Sequence, residues 1–251
     1  HLWWPAGIVI GSIIGYLIMD ILGLGWQVMV ASLFIPLVVY GYLITGQPFP
    51  LTERVEMGIS TKVALKSLLT PLYLFIAFCM LLSATTELGT TQRIESLLKE
   101  TGINALLVLA FINGLMMIGR YFAGPISKKI NTTGMLWFSA LFSFIGLQLL
   151  ANASGMFIFF AAGVFAIGIT FFWPTTLAFI SENIPESGAF GLSIMGGLGN
   201  LSVSIVLPIM GRFLDNSNGM QVIQTMSTLP AILFVLYGAL YYYRKQYTQT
   251  R

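Results

Sequence analysis

The chain has 251 residues and a formal net charge of +3, with 57% hydrophobic and only 8% charged residues, where a soluble domain carries roughly a quarter charged. A mean hydropathy of +0.86 leaves too little polar surface to cover a packed core in water, which excludes a water-soluble globule, a disordered tail and a nucleic-acid binder. The pI near 9.0 comes from scattered Lys and Arg rather than a basic stripe.

A bilayer core requires about 20 mostly apolar residues per helix, because every backbone N–H and C=O must be paired within the segment. Eight such runs are predicted: 5–21, 26–44, 68–87, 103–121, 135–151, 156–180, 190–214 and 229–243. Short Gly-, Asn- and Ser-rich connections separate them, except for residues 47–67, where Glu53, Arg54, Glu56, Lys62 and Lys66 mark a boundary. Cys79, the single cysteine, lies in an apolar run and reads as packing. No signal peptide is visible ahead of His1, and the chain is expected to be the C-terminal part of something longer.

Orientation follows from Lys and Arg in alternate loops. Nine of the twelve fall on one side: Arg54, Lys62, Lys66, Arg120, Lys128, Lys129, Arg244, Lys245 and Arg251. Arg93, Lys99 and Arg212 fall on the other. The first side is expected to be cytoplasmic, with both termini of this chain facing it. Tyr40, Tyr42 and 241–243 then occupy an interfacial aromatic belt.

Ionisable groups within a membrane are costly unless paired or wetted. Glu87, between Thr85-Thr86 and Thr90-Thr91, is either a cavity acid in a broken span or a solvated loop acid. Arg120 at an expected cytoplasmic helix end is either a positive-inside anchor or a latch onto a helix C-terminus or an acid such as Glu182. Trp173-Pro174-Thr175-Thr176 interrupts an apolar helix, since proline frees a carbonyl. The resulting kink makes Trp173 and the two threonines either a cavity wall or a structural bend. Along 187–211, Ser193, Gly197, Asn200 and Ser204 share one face. Packing is the favoured reading for Ser193, Gly197 and Ser204, and Asn200 is a cavity candidate. Asn113, seven residues before Arg120 and on its face, is another.

His1 is the only histidine, so no zinc motif or Ser-His-Asp triad is possible. There is no Walker-type phosphate loop and no filter-like repeat. No metal, cofactor or covalent catalysis is expected.

Gly119-Arg120-x-x-x-Gly124 resembles the second copy of the conserved cytoplasmic loop of the major facilitator superfamily, departing from it at Lys128, where an acid is usual. Trp173-Pro174-Thr175 and Gly196-Gly197 followed by Pro208, Gly211 and Asp215 resemble helices ten and eleven of its fucose and glucose/galactose permease branch. Thr86-Glu87 followed by Gly89 is similar to the acidic position of helix seven. The resemblance implies an all-α, polytopic membrane protein with eight transmembrane helices, a bundle of that superfamily lacking its first four helices. Residues 1–46 would be the last two helices of the N-terminal bundle, 47–67 the cytoplasmic linker, 68–245 the C-terminal six-helix bundle and 246–251 a cytoplasmic tail.

The implied function is secondary active transport of a small polar solute, a sugar above all, by alternating access with proton symport in the cell membrane. Glu87, Asn113, Trp173, Thr176 and Asn200 would bind substrate, and Gly119, Arg120 and Gly124 would serve the gate. The expected partners are the solute, protons, the lipid bilayer and the missing N-terminal helices, with no nucleic acid. A non-transporting sensor or partner-binding scaffold of the same fold is the alternative.

Overall fold

The computed structural model describes residues 2–48, 51, 58 and 60–249. His1, Glu53, Arg54, Glu56, Arg251 and part of the expected 47–67 linker lie outside them. The described residues form an all-helical structure without a strand. Its long segments are α1 (Trp3–Ile21), α2 (Trp26–Ile44), α3 (Pro71–Gln92), α4 (Ala105–Tyr121), α5 (Thr132–Ala151), α6 (Phe157–Asn183), α7 (Pro185–Asn216) and α8 (Gly219–Gln246). Seven are long and apolar enough to cross a bilayer, as expected of an integral membrane protein. The eighth, α4, is apolar but has only 17 residues. After a break at Phe122 the chain continues as a separate helix, Ala123–Lys129.

Local chemistry accounts for the helix starts. Thr70 caps α3, with Pro71 in the first turn, where a missing N–H costs nothing. Asn104 Oδ1 accepts from the amides of Leu106 and Leu107 to open α4, and Asn131 Oδ1 accepts from Gly134 to open α5. Asn218 and Gln221 form a reciprocal capping box, so α8 starts well before the predicted residue 229.

Helices α3 to α8 make one bundle, with α3 against α6, α7 and α8, and α5 against α6 and α8. Its core holds Tyr73, Ile76, Met80, Ile112, Met116, Phe165, Phe179 and Tyr237, all essentially buried. The α5–α6 contact is the tightest crossing. A Cβ at Gly146 would collide with the backbone of Phe165, and one at Gly168 with the backbone of Ser143. Only glycine lets two helices approach so closely, and dispersion contacts are the main attraction between helices in lipid. Outside this bundle, α1 lies along α4, and α2, which has no buried residue, makes its main contact with the last turns of α1.

Two irregularities shape the interior. Residues Thr85–Gly89 form a π-helical turn within α3, where Thr86 and Thr91 turn their hydroxyls back onto the carbonyls of Leu82 and Glu87 at 2.8 Å each. Such back-bonding competes with the helical ladder and relaxes it. In α6 the helix stops at Ile169 and resumes at Phe172. Pro174 has no N–H to give the carbonyl four residues earlier, that of Thr170.

Candidate functional site

The π turn of α3 carries Glu87 into the bundle, and the last turn of α4 brings Arg120 to meet it. Arg120 Nη2 lies 3.0 Å from Glu87 Oε1, with the two side chains only 3% and 4% exposed. Arg120 Nε donates to the Thr170 carbonyl at 2.9 Å. This is the carbonyl that Pro174 leaves without its helical donor, so the proline break and the arginine are complementary. One guanidinium thereby ties three helices together at the middle of α6. A charge in this setting persists because every contact is charge-assisted.

Gly119 makes the approach possible. A Cβ there would lie 2.7 Å from Thr170 Cγ2, which would push α4 off α6. Gly124, expected to share the gate, is exposed with open space at its Cβ position. Arg120 is therefore no positive-inside anchor, because it is buried within the bundle rather than at a loop. Its acid is Glu87 and not Glu182, which instead accepts from Thr132 Oγ1 at 3.2 Å on the surface.

Glu87 Oε2, buried, has no hydrogen-bond partner. Glu87 also lines a cavity of about 240 Å³, together with Trp4, Leu88, Arg120, Trp173 and Asn200. Three of the five sequence-predicted binding residues, Glu87, Trp173 and Asn200, thus meet here together with Arg120. Two indoles, a carboxylate with a free oxygen and an amide make a site with stacking surface and hydrogen-bond capacity. Trp173 is held in place by Gly199, whose Cβ would come within 2.5 Å of the indole Cη2.

The other two predicted residues lie elsewhere. Asn113 is buried and donates its amide to the Leu109 carbonyl at 2.9 Å. It shares a helix face with Arg120 but sits seven residues away, about 10 Å along the axis. Thr176 is fully buried, and neither its hydroxyl nor that of Tyr237 has a partner at hydrogen-bonding geometry. The α7 face also departs from the packing reading. Ser193, Gly197, Asn200 and Ser204 are exposed, and nothing approaches Gly196 or Gly197. The hydroxyls and amide of this face bond back to Ala189, Gly196 and Asn200 of their own helix.

Trp4 has no counterpart in the sequence reading. A lone indole at a helix start has no spacing signal, and only the packing of α1 on α4 brings it to the cavity. Compared with protein-family models, curated proteins and solved structures, the chain matches none.

Proposed function

We propose that the protein is a secondary active transporter of the major facilitator type, moving a small polar, sugar-like solute by alternating access with proton coupling. The observation that carries this reading is the buried Glu87–Arg120 pair, with one carboxylate oxygen unpartnered, at the wall of a cavity lined also by two indoles and an amide. A hydroxylated ring can stack on Trp4 or Trp173 while its hydroxyls donate to Glu87 and exchange hydrogen bonds with Asn200. Such a pairing of broken helices with a polar site inside the membrane is the usual construction of secondary transporters. The polar face of α7, running past the cavity without a packing partner, supplies a wettable wall for the path.

On this reading α4, extended by Ala123–Lys129, counts as an eighth crossing, and α1 and α2 belong to the opposing bundle. Removing Arg120 from the loop count leaves eight basic residues against three, which keeps both termini cytoplasmic in the cell membrane. Glu87 would carry the coupled proton, and Arg120 would hold the closed arrangement until solute or proton competes for the carboxylate.

The test is counterflow and proton-driven uptake of radiolabelled hexoses and pentoses into proteoliposomes holding the protein. Saturable uptake that is lost in Glu87→Gln supports the proposal. Binding without translocation would replace it with the sensor or scaffold reading, and neither binding nor uptake of any sugar would refute the solute class.

A further inference from the structure

At the end of the bundle where α5 begins and α6 and α8 finish, a cavity of about 480 Å³ is lined by polar side chains throughout. Two cations of α8, Arg244 and Lys245, stand in its wall. Tyr241, one turn before them, brings α8 onto the start of α5. Its ring lies 3.5 Å from the Cβ position of Gly134 and stacks on Trp137 with centroids 5.4 Å apart. Arg244 lies over the Phe179 ring of α6 at 5.2 Å, a contact that steadies the guanidinium and keeps its charge. The acid of the wall, Glu182, accepts from Thr132 Oγ1 at 3.2 Å. Two cations against this one carboxylate leave the cavity walls with a positive balance.

The α5 wall supplies further donors. The amides of Thr132 and Thr133, at the first two positions of α5, have no acceptor within the helix. Thr133 is only 3% exposed and lines the cavity, and its hydroxyl makes no hydrogen bond to any described residue. A buried hydroxyl in that state calls for an acceptor from outside the chain. Arginine offers a planar fork to oxyanions and lysine a point charge. Donors on two helices, α5 and α8, suit an anion with several oxygens, and a tetrahedral phosphate has enough to meet both walls.

We infer that this cavity binds a phosphate group, held by Arg244 and Lys245 from α8 and by Thr133 with the first amides of α5. Basic pockets between helix ends recognise phospholipid headgroups, and a soluble phosphate offers the same chemistry. The inference stands on the cavity alone and does not depend on the transport reading. A phosphate there would join α5 to α8 beside the last turn of α6, the segment that carries Trp173 near its other end.

The experiment uses the full chain in uncharged maltoside micelles, where both ends of the bundle are accessible, with two probes. Dioctanoyl phosphatidylglycerol, counted by native mass spectrometry, reports a lipid source, and radiolabelled inorganic phosphate in equilibrium dialysis reports a soluble one. Saturable binding of one molecule of at least one probe is expected. Arg244→Gln and Lys245→Gln should each weaken it about fivefold, and Thr133→Val, which removes the hydroxyl and keeps the shape, about tenfold. Glu182→Gln takes away the opposing carboxylate and should tighten binding about threefold. Lys62→Gln, at an exposed lysine outside the cavity wall, should leave it unchanged. Equal losses at Lys62 and Lys245 would mean diffuse attraction and overturn the assignment. So would binding insensitive to Thr133→Val, which remains informative even if the Arg244→Gln protein does not fold, and so would failure of both probes to bind.

Discussion

Arg120 is hydrogen-bonded to the carbonyl of Thr170 at 2.9 Å, the one acceptor that Pro174, four residues on, leaves without a helical donor. The same guanidinium pairs with Glu87. A helix defect, a cation and an acid from three separate segments therefore form a single unit, and the predictions below take that unit apart.

Removing one member of a buried pair strands the other. Glu87→Ala and Arg120→Ala are each expected to lower stability by about 3–5 kcal/mol, and the double variant by much less than the sum of the two losses. Thermal unfolding in detergent measures all three, and strict additivity would mean that the two side chains are not energetically coupled.

Pro174→Ala returns an N–H to the Thr170 carbonyl. It should make Arg120→Ala less damaging by about 1 kcal/mol, a coupling between positions that share one acceptor. A double-mutant cycle on unfolding free energies decides this, since an uncoupled result would assign the proline to bending alone.

Gly119→Ala places a methyl group 2.7 Å from Thr170 Cγ2. The overpacking should cost about 1–3 kcal/mol and be relieved by Thr170→Ser, which removes that methyl but keeps the hydroxyl bonded to Ala166. Gly124→Ala, in open space, should be neutral or stabilising by up to about 1 kcal/mol. Equal damage at both glycines would contradict the close approach of α4 and α6.

Gly199→Ala drives a methyl group into the Trp173 indole, with Met80 behind it at 3.0 Å. The indole has to shift towards the cavity, so hexose binding measured by tryptophan fluorescence should fall at least tenfold, a loss of about 1.4 kcal/mol, in protein that still elutes as a single species. Unaltered affinity would show that Trp173 does not touch solute.

Thr176→Val removes a buried hydroxyl that has no hydrogen-bond partner. Stability should hold or rise slightly, by up to about 1 kcal/mol, and sugar uptake should match the parent. A sharp fall in uptake would move Thr176 back to the solute path.

What the sequence discloses here divides along a physical line. Apolar runs report burial in hydrocarbon directly, so the long helices lie close to the predicted runs. Glu87, Trp173 and Asn200 stood out because a polar or kinked position in such a run is expensive, and each lines the cavity. Asn113 and Thr176 were chosen on the same ground, yet spacing along one helix fixes a face and not the depth or neighbour it meets. Arg120 at a predicted helix end allows either an anchor or a latch, and burial decides between them only in the structure, where the chain breaks at Phe122, becomes helical again and leaves the guanidinium inside the bundle. Its partner could not be deduced from composition, since the π turn at Thr85–Gly89 shifts the register of α3 just where Glu87 is carried. The start of α8 at Gly219 differs from the predicted residue 229 because the capping box at Asn218 and Gln221 opens the helix before its apolar run begins.

The glycine crossing between α5 and α6 divides α6 into unequal partners. Its first half, through Gly168, is clamped backbone to backbone on α5 and can shift only with α5 as a rigid piece. The second half begins at Phe172, four residues beyond Gly168, past a joint whose missing hydrogen bond is supplied from outside by Arg120. If the guanidinium lets go, Trp173 and the helix behind it become a lever arm whose fulcrum is fixed by α5.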